Sequence, residues 1–197
     1  TKLTKQIEKI THYDVRKQNL EDEINRLEKS EQNNKERLIE RLKKRDTLGS
    51  VKFDSVVISD FDESLKSVTT SLLYTDISPK EKYFITLNQW FDESLLKEIS
   101  LQPLYFPSAN KSNYDKFSNE YFEKYNQYPN QLSFLSYDLV GLVYYLILKN
   151  NSVVDKKMFK KKNLFKGKVG IFEIKNNKIN HILNFYKVED GEFKKVF

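Results

Sequence analysis

Between Phe53 and Phe106 the chain alternates short strand-like runs with helix-sized stretches, and this alternation restricts the fold more than any other feature. Phe53, Val56, Val57 and Ile58 form a β-branched run too short for a helix and continuous enough for a strand buried on both faces. Asp60-Phe61-Asp62-Glu63-Ser64-Leu65 follows, with Asp60 and Glu63 at capping-box spacing before a helix through Leu72, Leu73 and Tyr74. Ser78-Pro79 breaks that helix. Tyr83 to Leu87 reads as a second strand, Asn88 to Leu95 leads into a second helix ending near Ser100, and Leu104-Tyr105-Phe106 is a third strand. Phe-Asp-Glu-Ser-Leu occurs at both 61–65 and 91–95, each time between a strand and a helix start. This is the β-α-β grammar of a parallel sheet with crossover helices, in which ligands gather at the carboxyl ends of the strands. Helix N-termini offer unpaired amide donors there.

The segments on either side differ in character. Residues 2–28 place Leu3, Ile7, Ile10, then Leu20, Ile24 and Leu27 on one narrow stripe, and Leu38, Ile39 and Leu42 restore a stripe after the polar break at Ser30 to Asn34. The spacing predicts a charged helical hairpin over 1–49 that ends near Gly49, read first as a solvated pair packed on the body and second as a partner-binding coiled coil. Tyr114, Phe117, Tyr121, Phe122 and Tyr125 give the aromatic face of a helix over 111–126, stopped by Tyr128-Pro129-Asn130. Leu132 to Lys149 is apolar nearly all round. Its uninterrupted run, Leu139 to Leu148, is about half of the roughly 20 residues a membrane span needs, so it reads as a buried helix. Seven lysines between Asp155 and Lys168 read as a solvated basic loop before a nucleic-acid or lipid patch. Beyond Val169 the pattern alternates, with turn residues Asn176-Asn177 and Asp190-Gly191, and predicts a β-meander.

Composition removes several classes of function. The 197 residues carry a net charge of +6, split evenly between residues 1–48 and the remainder, so no phosphate-tracking groove is concentrated anywhere and nucleic acid is not an expected partner. Zero cysteines exclude thiolate chemistry, and two distant histidines, His12 and His181, offer little for a metal or acid-base centre. None of the five glycines makes a nucleophile elbow, a P-loop or a Gly-x-Gly-x-x-Gly turn. Carboxylates such as Asp60 and Asp62 sit where helix capping accounts for them. No catalytic residue, metal site or cofactor is therefore expected, and a binding module is favoured over an enzyme.

The run Phe53 to Asp60, its helix, and Tyr83-Phe-Ile-Thr-Leu-Asn-Gln-Trp90 resemble the second lobe of type I periplasmic solute-binding proteins, the Leu/Ile/Val-binding class. So do Tyr121-Phe-x-x-Lys-Tyr125, Tyr128-Pro129 and Ser136-Tyr137-Asp138 before an apolar helix, and the closing Gly167-Lys-Val-Gly-Ile-Phe172 and Asp190-Gly191-Glu-Phe193. The charged stretch that begins Tyr13-Asp14-x-Arg16 and ends Arg45-Asp46-Thr47-Leu48-Gly49 looks like the bacterial subgroup of penicillin-binding protein activators, lipoprotein regulators of peptidoglycan synthesis. The resemblance implies an α/β fold, a parallel sheet with flanking helices forming one lobe of the type I fold, plus the helical hairpin and the β-meander. It implies a division into the hairpin insertion 1–49, an α/β lobe of 50–106 and 151–197, and helices 107–150 that pack against a first N-terminal lobe or a partner outside these residues.

The same resemblance implies a non-catalytic, periplasmic ligand-binding protein: an ABC-transporter-type receptor for a small polar solute or, alternatively, an activator that contacts a cell-wall synthase, with a lipoprotein membrane tether upstream of residue 1. Carried over by position, Asp60 and Phe61 after the first strand and Asn88, Gln89 and Trp90 after the second are the cleft-facing ligand-binding residues. Amino-acid binders of the family hold an ammonium there with polar or acidic side chains; the amides and indole of the second loop depart from that pattern. Trp90 reads equally as a surface for an apolar or sugar-like ligand and as ordinary core. Asp138 reads as a helix cap.

Overall fold

The computed structural model describes residues 2–87, 91–160 and 162–197, the side chain of Gln131 aside. Six α-helices and eight strands are described: α1 (Lys2–Ile10), α2 (Tyr13–Glu28), α3 (Lys35–Leu42), β1 (Ser55–Ile58), α4 (Asp62–Tyr74), β2 (Tyr83–Thr86), β3 (Leu104–Ser108), α5 (Lys111–Tyr125), α6 (Gln131–Lys149), β4 (Asn163–Lys166), β5 (Ile171–Lys175), β6 (Lys178–Ile182), β7 (Asn184–Glu189) and β8 (Glu192–Lys195). A five-stranded sheet has the order β1-β2-β3-β7-β8 and a three-stranded sheet the order β4-β5-β6. The fold is mixed α/β, and the expected parallel strands are present. β1 pairs parallel to β2, with Val56 opposite Phe84, and β2 pairs parallel to β3, with Phe84 opposite Leu104. The chain divides into two compact units.

The first unit runs to Leu87 and adds Ser94–Tyr105 and Val188–Glu192. Its interior includes Leu65 and Leu72 of α4 and Phe84 and Leu104 of the sheet. β1 ends the strand order, and the expectation of burial on both of its faces fails because one face is left uncovered: Val57 is 60% exposed while Ile58 is buried. The long first helix also divides. Thr11 Oγ1 donates to the Ile7 carbonyl at 2.8 Å, His12 turns left-handed (φ 51°), and the chain restarts as α2. α2 and α3 form the hairpin, whereas α1 folds back and packs on α4.

Arg16 closes the base of that hairpin. It is 7% exposed and its guanidinium donates to the carbonyls of Gly49 (3.1 Å) and Thr75 (2.9 Å) and to Thr47 Oγ1 (2.7 Å). Thr47 Oγ1 in turn donates to Asp76 Oδ2 at 2.7 Å. The Tyr13-to-Arg16 and Thr47-to-Gly49 ends of the charged stretch are thus joined to each other and to the end of α4, with Tyr13 against Tyr74 at 5.5 Å between ring centroids.

The helix expected to end near Ser100 is replaced by two 3-10 turns, Glu93–Lys97 and Ile99–Leu101. Phe91 has φ 22°, and the buried Gln102 side chain takes the Leu95 and Leu96 carbonyls at 3.1 and 3.2 Å that a continuous helix would bond internally.

The second unit holds Phe106–Lys187, Phe193–Phe197 and residues 91–93. α5 starts on Asn110, whose side chain accepts from the Asn113 amide at 3.1 Å, and ends on left-handed Asn126, as the aromatic spacing predicts. α6 lays Leu142 and Leu146 on Phe172 and Ile174 of β5, with Met158 between. Its other face is open: Leu132, Leu139, Val140, Tyr144 and Leu148 are each at least half exposed. The expectation of a wholly buried helix is corrected, since 22% of Leu132–Lys149 is buried, and by length and composition this window is long and apolar enough to cross a membrane. The lysine-rich segment is not all solvated loop, because it supplies buried Met158 and strand β4. β4-β5-β6 form an antiparallel meander, and β7-β8 add to the larger sheet. Asn176, Asn177, Asp190 and Gly191 all have positive φ, the geometry that Asn and Gly turn residues accommodate in two-residue hairpins.

Candidate functional site

At the carboxyl end of β1 the structure places Asp60 half-buried and Phe61 exposed. Phe61 occupies the N-cap of α4 in extended geometry with no side-chain cap, and Asp62 has φ 51°. The Asp60–Glu63 capping box is therefore absent, and Glu63 pairs instead with Lys66 at 3.2 Å. Asn88, Gln89 and Trp90 lie outside the described residues.

Asp60 contributes a carboxylate to a mainly apolar groove of about 500 Å³ along β1, whose lining includes Ile7, Ile10, Val57, Ile58 and Leu72. The groove exists because α1 breaks away from α2, so Ile7 and Ile10, read from their spacing as part of the hairpin stripe, line it instead. The polar pair Thr11-His12 is the local signal for that break. β1 pairs on one side with β2 and ends the sheet order, so this groove combines a carboxylate, an apolar wall and a strand edge.

A second hollow, of about 560 Å³, lies in the second unit against the exposed side of α5, with Phe91, Lys111, Tyr114, Asp115 and Ser118 in its lining. Lys111 Nζ bonds both carboxylate oxygens of Asp115, at 2.6 and 2.8 Å. Burial pushes the Tyr114 hydroxyl above its usual pKa, and the nearby Ser118 hydroxyl offsets part of that rise. The Ser118 Oγ is fully enclosed and has no partner at hydrogen-bond geometry among the described residues. Sequence reasoning missed this hollow, because the aromatic stripe of α5 looked like core alone.

Asp138 is not a cap. α6 begins seven residues earlier, where the Asn130 side chain accepts from the Ser133 amide at 3.0 Å. Asp138, 2% exposed, instead accepts from the backbone amides of Lys168 (2.7 Å), Val169 (3.0 Å) and Gly170 (2.8 Å). A Cβ on Gly167 would sit 2.5 Å from that carboxylate, and one on Gly170 would sit 2.2 Å from His181 Nε2. His181 stacks on Phe172 at 4.4 Å, and burial holds its pKa below the usual value against the opposing field of Asp138. This is an anchor for the 167–170 turn. Among the described residues no group of three or more His, Asp and Glu could hold a metal ion.

No family profile matches the sequence, and no curated protein is detectably similar to it. Among solved structures the chain is similar to an extracellular ligand binding receptor from Desulfohalobium retbaense, with a TM-score of 0.52 at 16% identity over 79% of this chain. The fold is type I periplasmic-binding-like. The likeness concerns the fold alone, and this chain spans 27% of that receptor's length.

Proposed function

We propose that the chain is part of a non-catalytic, extracytoplasmic ligand-binding protein, a receptor that presents a small polar solute to an ABC-type transporter. The observation that carries this reading is the parallel β1-β2-β3 ladder, whose strand ends carry Asp60 and Phe61 after β1 and lead into Asn88, Gln89 and Trp90 after β2. Open parallel sheets bind at that end, and the fold is shared with an extracellular ligand binding receptor. The test is calorimetry on the complete protein with a panel of amino acids, sugars and small amides. Trp90→Ala and Asp60→Ala are each expected to weaken the solute that binds by about 1–3 kcal/mol, or roughly 5- to 150-fold. Unchanged affinity in both variants overturns the reading.

The second reading, a penicillin-binding protein activator that is lipid-tethered in the periplasm and touches a cell-wall synthase, is supported by the hairpin itself. Two adjoining hollows on it are lined by Arg26, Arg37, Arg41, Lys44 and Arg45 together with Glu23 and Glu40, which pair with Arg26 and Lys44, and the remaining excess of positive charge suits an acidic partner. Excising residues 12–48 is then expected to abolish synthase stimulation and leave solute binding intact. Loss of neither property, with solute binding still dependent on Trp90, leaves the receptor reading standing alone. The helices 107–150 are proposed to pack against a first lobe, which the open face of α6 supports.

A further inference from the structure

The hairpin separates its charges. Residues 35–45 carry six basic side chains against two acidic ones, whereas α2 carries three basic against five acidic. Among the described residues no ion pair joins the two helices: Glu23 is taken by Arg26 of its own helix at 2.6 Å, and Glu40 by Lys44 at 3.9 Å. Arg37, Arg41 and Arg45 are exposed, and no carboxylate among the described residues holds them. They recur every four residues, about 6 Å apart along the helix axis, and the Arg45 amide bonds the Leu42 carbonyl at 2.9 Å, which carries the stripe one turn past α3. Like charges at this spacing repel. Anions at the same step would relieve that repulsion.

α3 itself is weakly held. It has eight residues, buries none of them, and its N-cap Asn34 makes no side-chain cap bond. A helix this short is marginal without packing on its apolar side. Leu38 and Leu42 are half-buried beside the arginine stripe, and Leu38 and Arg41 line both of the hollows, of about 540 and 330 Å³. The surface therefore offers three free cations and uncovered leucine together. A phosphate polymer would neutralise the arginines and leave the leucines wet. A flat anionic bilayer does not enter the hollow between α2 and α3. An extended peptide brings backbone amides that the surface of a helix leaves unbonded. A second helix bonds its own backbone, repeats the 6 Å step with its carboxylates, and can bury an apolar stripe.

We propose that the α2–α3 hairpin is a docking surface for an acidic amphipathic helix of a partner protein, with carboxylates at i, i+4 and i+8 on Arg37, Arg41 and Arg45 and an apolar stripe over Leu38 and Leu42. Guanidinium groups pair with carboxylates through two parallel hydrogen bonds, so the stripe fixes register as well as charge. The inference rests on the reading of the hairpin as a contact surface and does not need the partner to be a cell-wall synthase. Helix binding and synthase stimulation are measured separately, so either can fail without the other.

The experiment is fluorescence anisotropy on the full 197-residue chain. The probe is a labelled, lactam-stapled helix of about 18 residues with glutamates at i, i+4 and i+8 beside a leucine stripe, and its scrambled isomer is the control. Polyphosphate and phosphatidylglycerol vesicles are counter-probes. The stapled helix is expected to bind with a Kd on the order of 10 μM, weakened at least about 5-fold between about 0.05 and 0.5 M NaCl. Arg41→Glu, and Arg37→Glu with Arg45→Glu, each weaken it at least about 10-fold. The melting temperature of free Arg41→Glu holds or rises, because two repulsive contacts along the stripe become attractive. Lys17→Glu makes the same charge change on α2, lines neither hollow, and shifts affinity by less than about 2-fold. The assignment is overturned if the stapled helix does not bind or its scrambled isomer binds as well. It is also overturned if affinity ignores the arginine variants or falls as far with Lys17→Glu. Occupation of the stripe by polyphosphate, vesicles or a second copy of the chain, with no binding of the helix, overturns it equally.

Discussion

His181 and Asp138 show how a single side chain can be read correctly in type and wrongly in place. His181 lies in an alternating strand, as its neighbours predict, but burial against Phe172 and Gly170 holds its pKa below the usual histidine value. A histidine depressed in the folded state binds fewer protons there than when unfolded. Its neutral form costs nothing above the unfolded pKa of about 6.5, and stability falls as pH drops from there toward the folded pKa. Denaturant titrations of the wild type at pH 7.5 and pH 5 are expected to show lower stability at pH 5. His181→Gln should flatten the part of that loss that lies just below pH 6.5; an unchanged profile rejects the argument. Asp138 was legible as an acidic residue near an apolar helix, but its three amide donors come from residues thirty or more positions away, which no local pattern reveals.

Between elements, the decisive contact is Arg16. One guanidinium satisfies carbonyls on two separate segments and a threonine hydroxyl, so its planar fork acts as a clamp for the hairpin base. Arg16→Ala strands the buried Thr75 carbonyl, frees the Gly49 carbonyl and Thr47 hydroxyl of their shared donor, and is expected to cost about 2–4 kcal/mol of unfolding free energy by chemical denaturation. Arg16→Lys keeps the charge, loses the fork and falls between the two. A loss under about 0.5 kcal/mol in Arg16→Ala, the ordinary range for surface changes, refutes the clamp. The motif was visible as two ends of a charged stretch; that the ends meet follows from α2, the 47–49 segment and α4 converging. The same scale explains the missing helix after β2. Its apolar residues permitted a helix, and the Gln102 side chain diverted the carbonyls.

For the whole molecule, the open face of α6 separates what stabilises this chain from what a larger assembly would use. Leu142 is 1% exposed and Val140 is 69% exposed on the same helix. In the 197-residue chain, Leu142→Ala is expected to cost about 2–5 kcal/mol and Val140→Glu to change stability by less than about 0.5 kcal/mol. Thermal and denaturant melts of the two variants read this directly. A large loss in Val140→Glu means the face is already covered.

The sequence by itself determined the β-α-β order, the two-residue hairpin turns and the start and stop of α5, because each depends on the period of neighbouring residues or on the φ preference of a turn residue. Position within the sheet was not legible: β1 is as apolar as a central strand, and its place at the end of the order emerges once β2, β3, β7 and β8 have paired. Nor was the break at Thr11-His12 weighed correctly, since a stripe of leucines and isoleucines looks alike whether it faces a hairpin partner or folds back onto α4. The hollow on α5 shares that origin. Helical spacing announces an aromatic face, and only tertiary packing decides which rings are consumed by the core and which, like Tyr128, remain exposed.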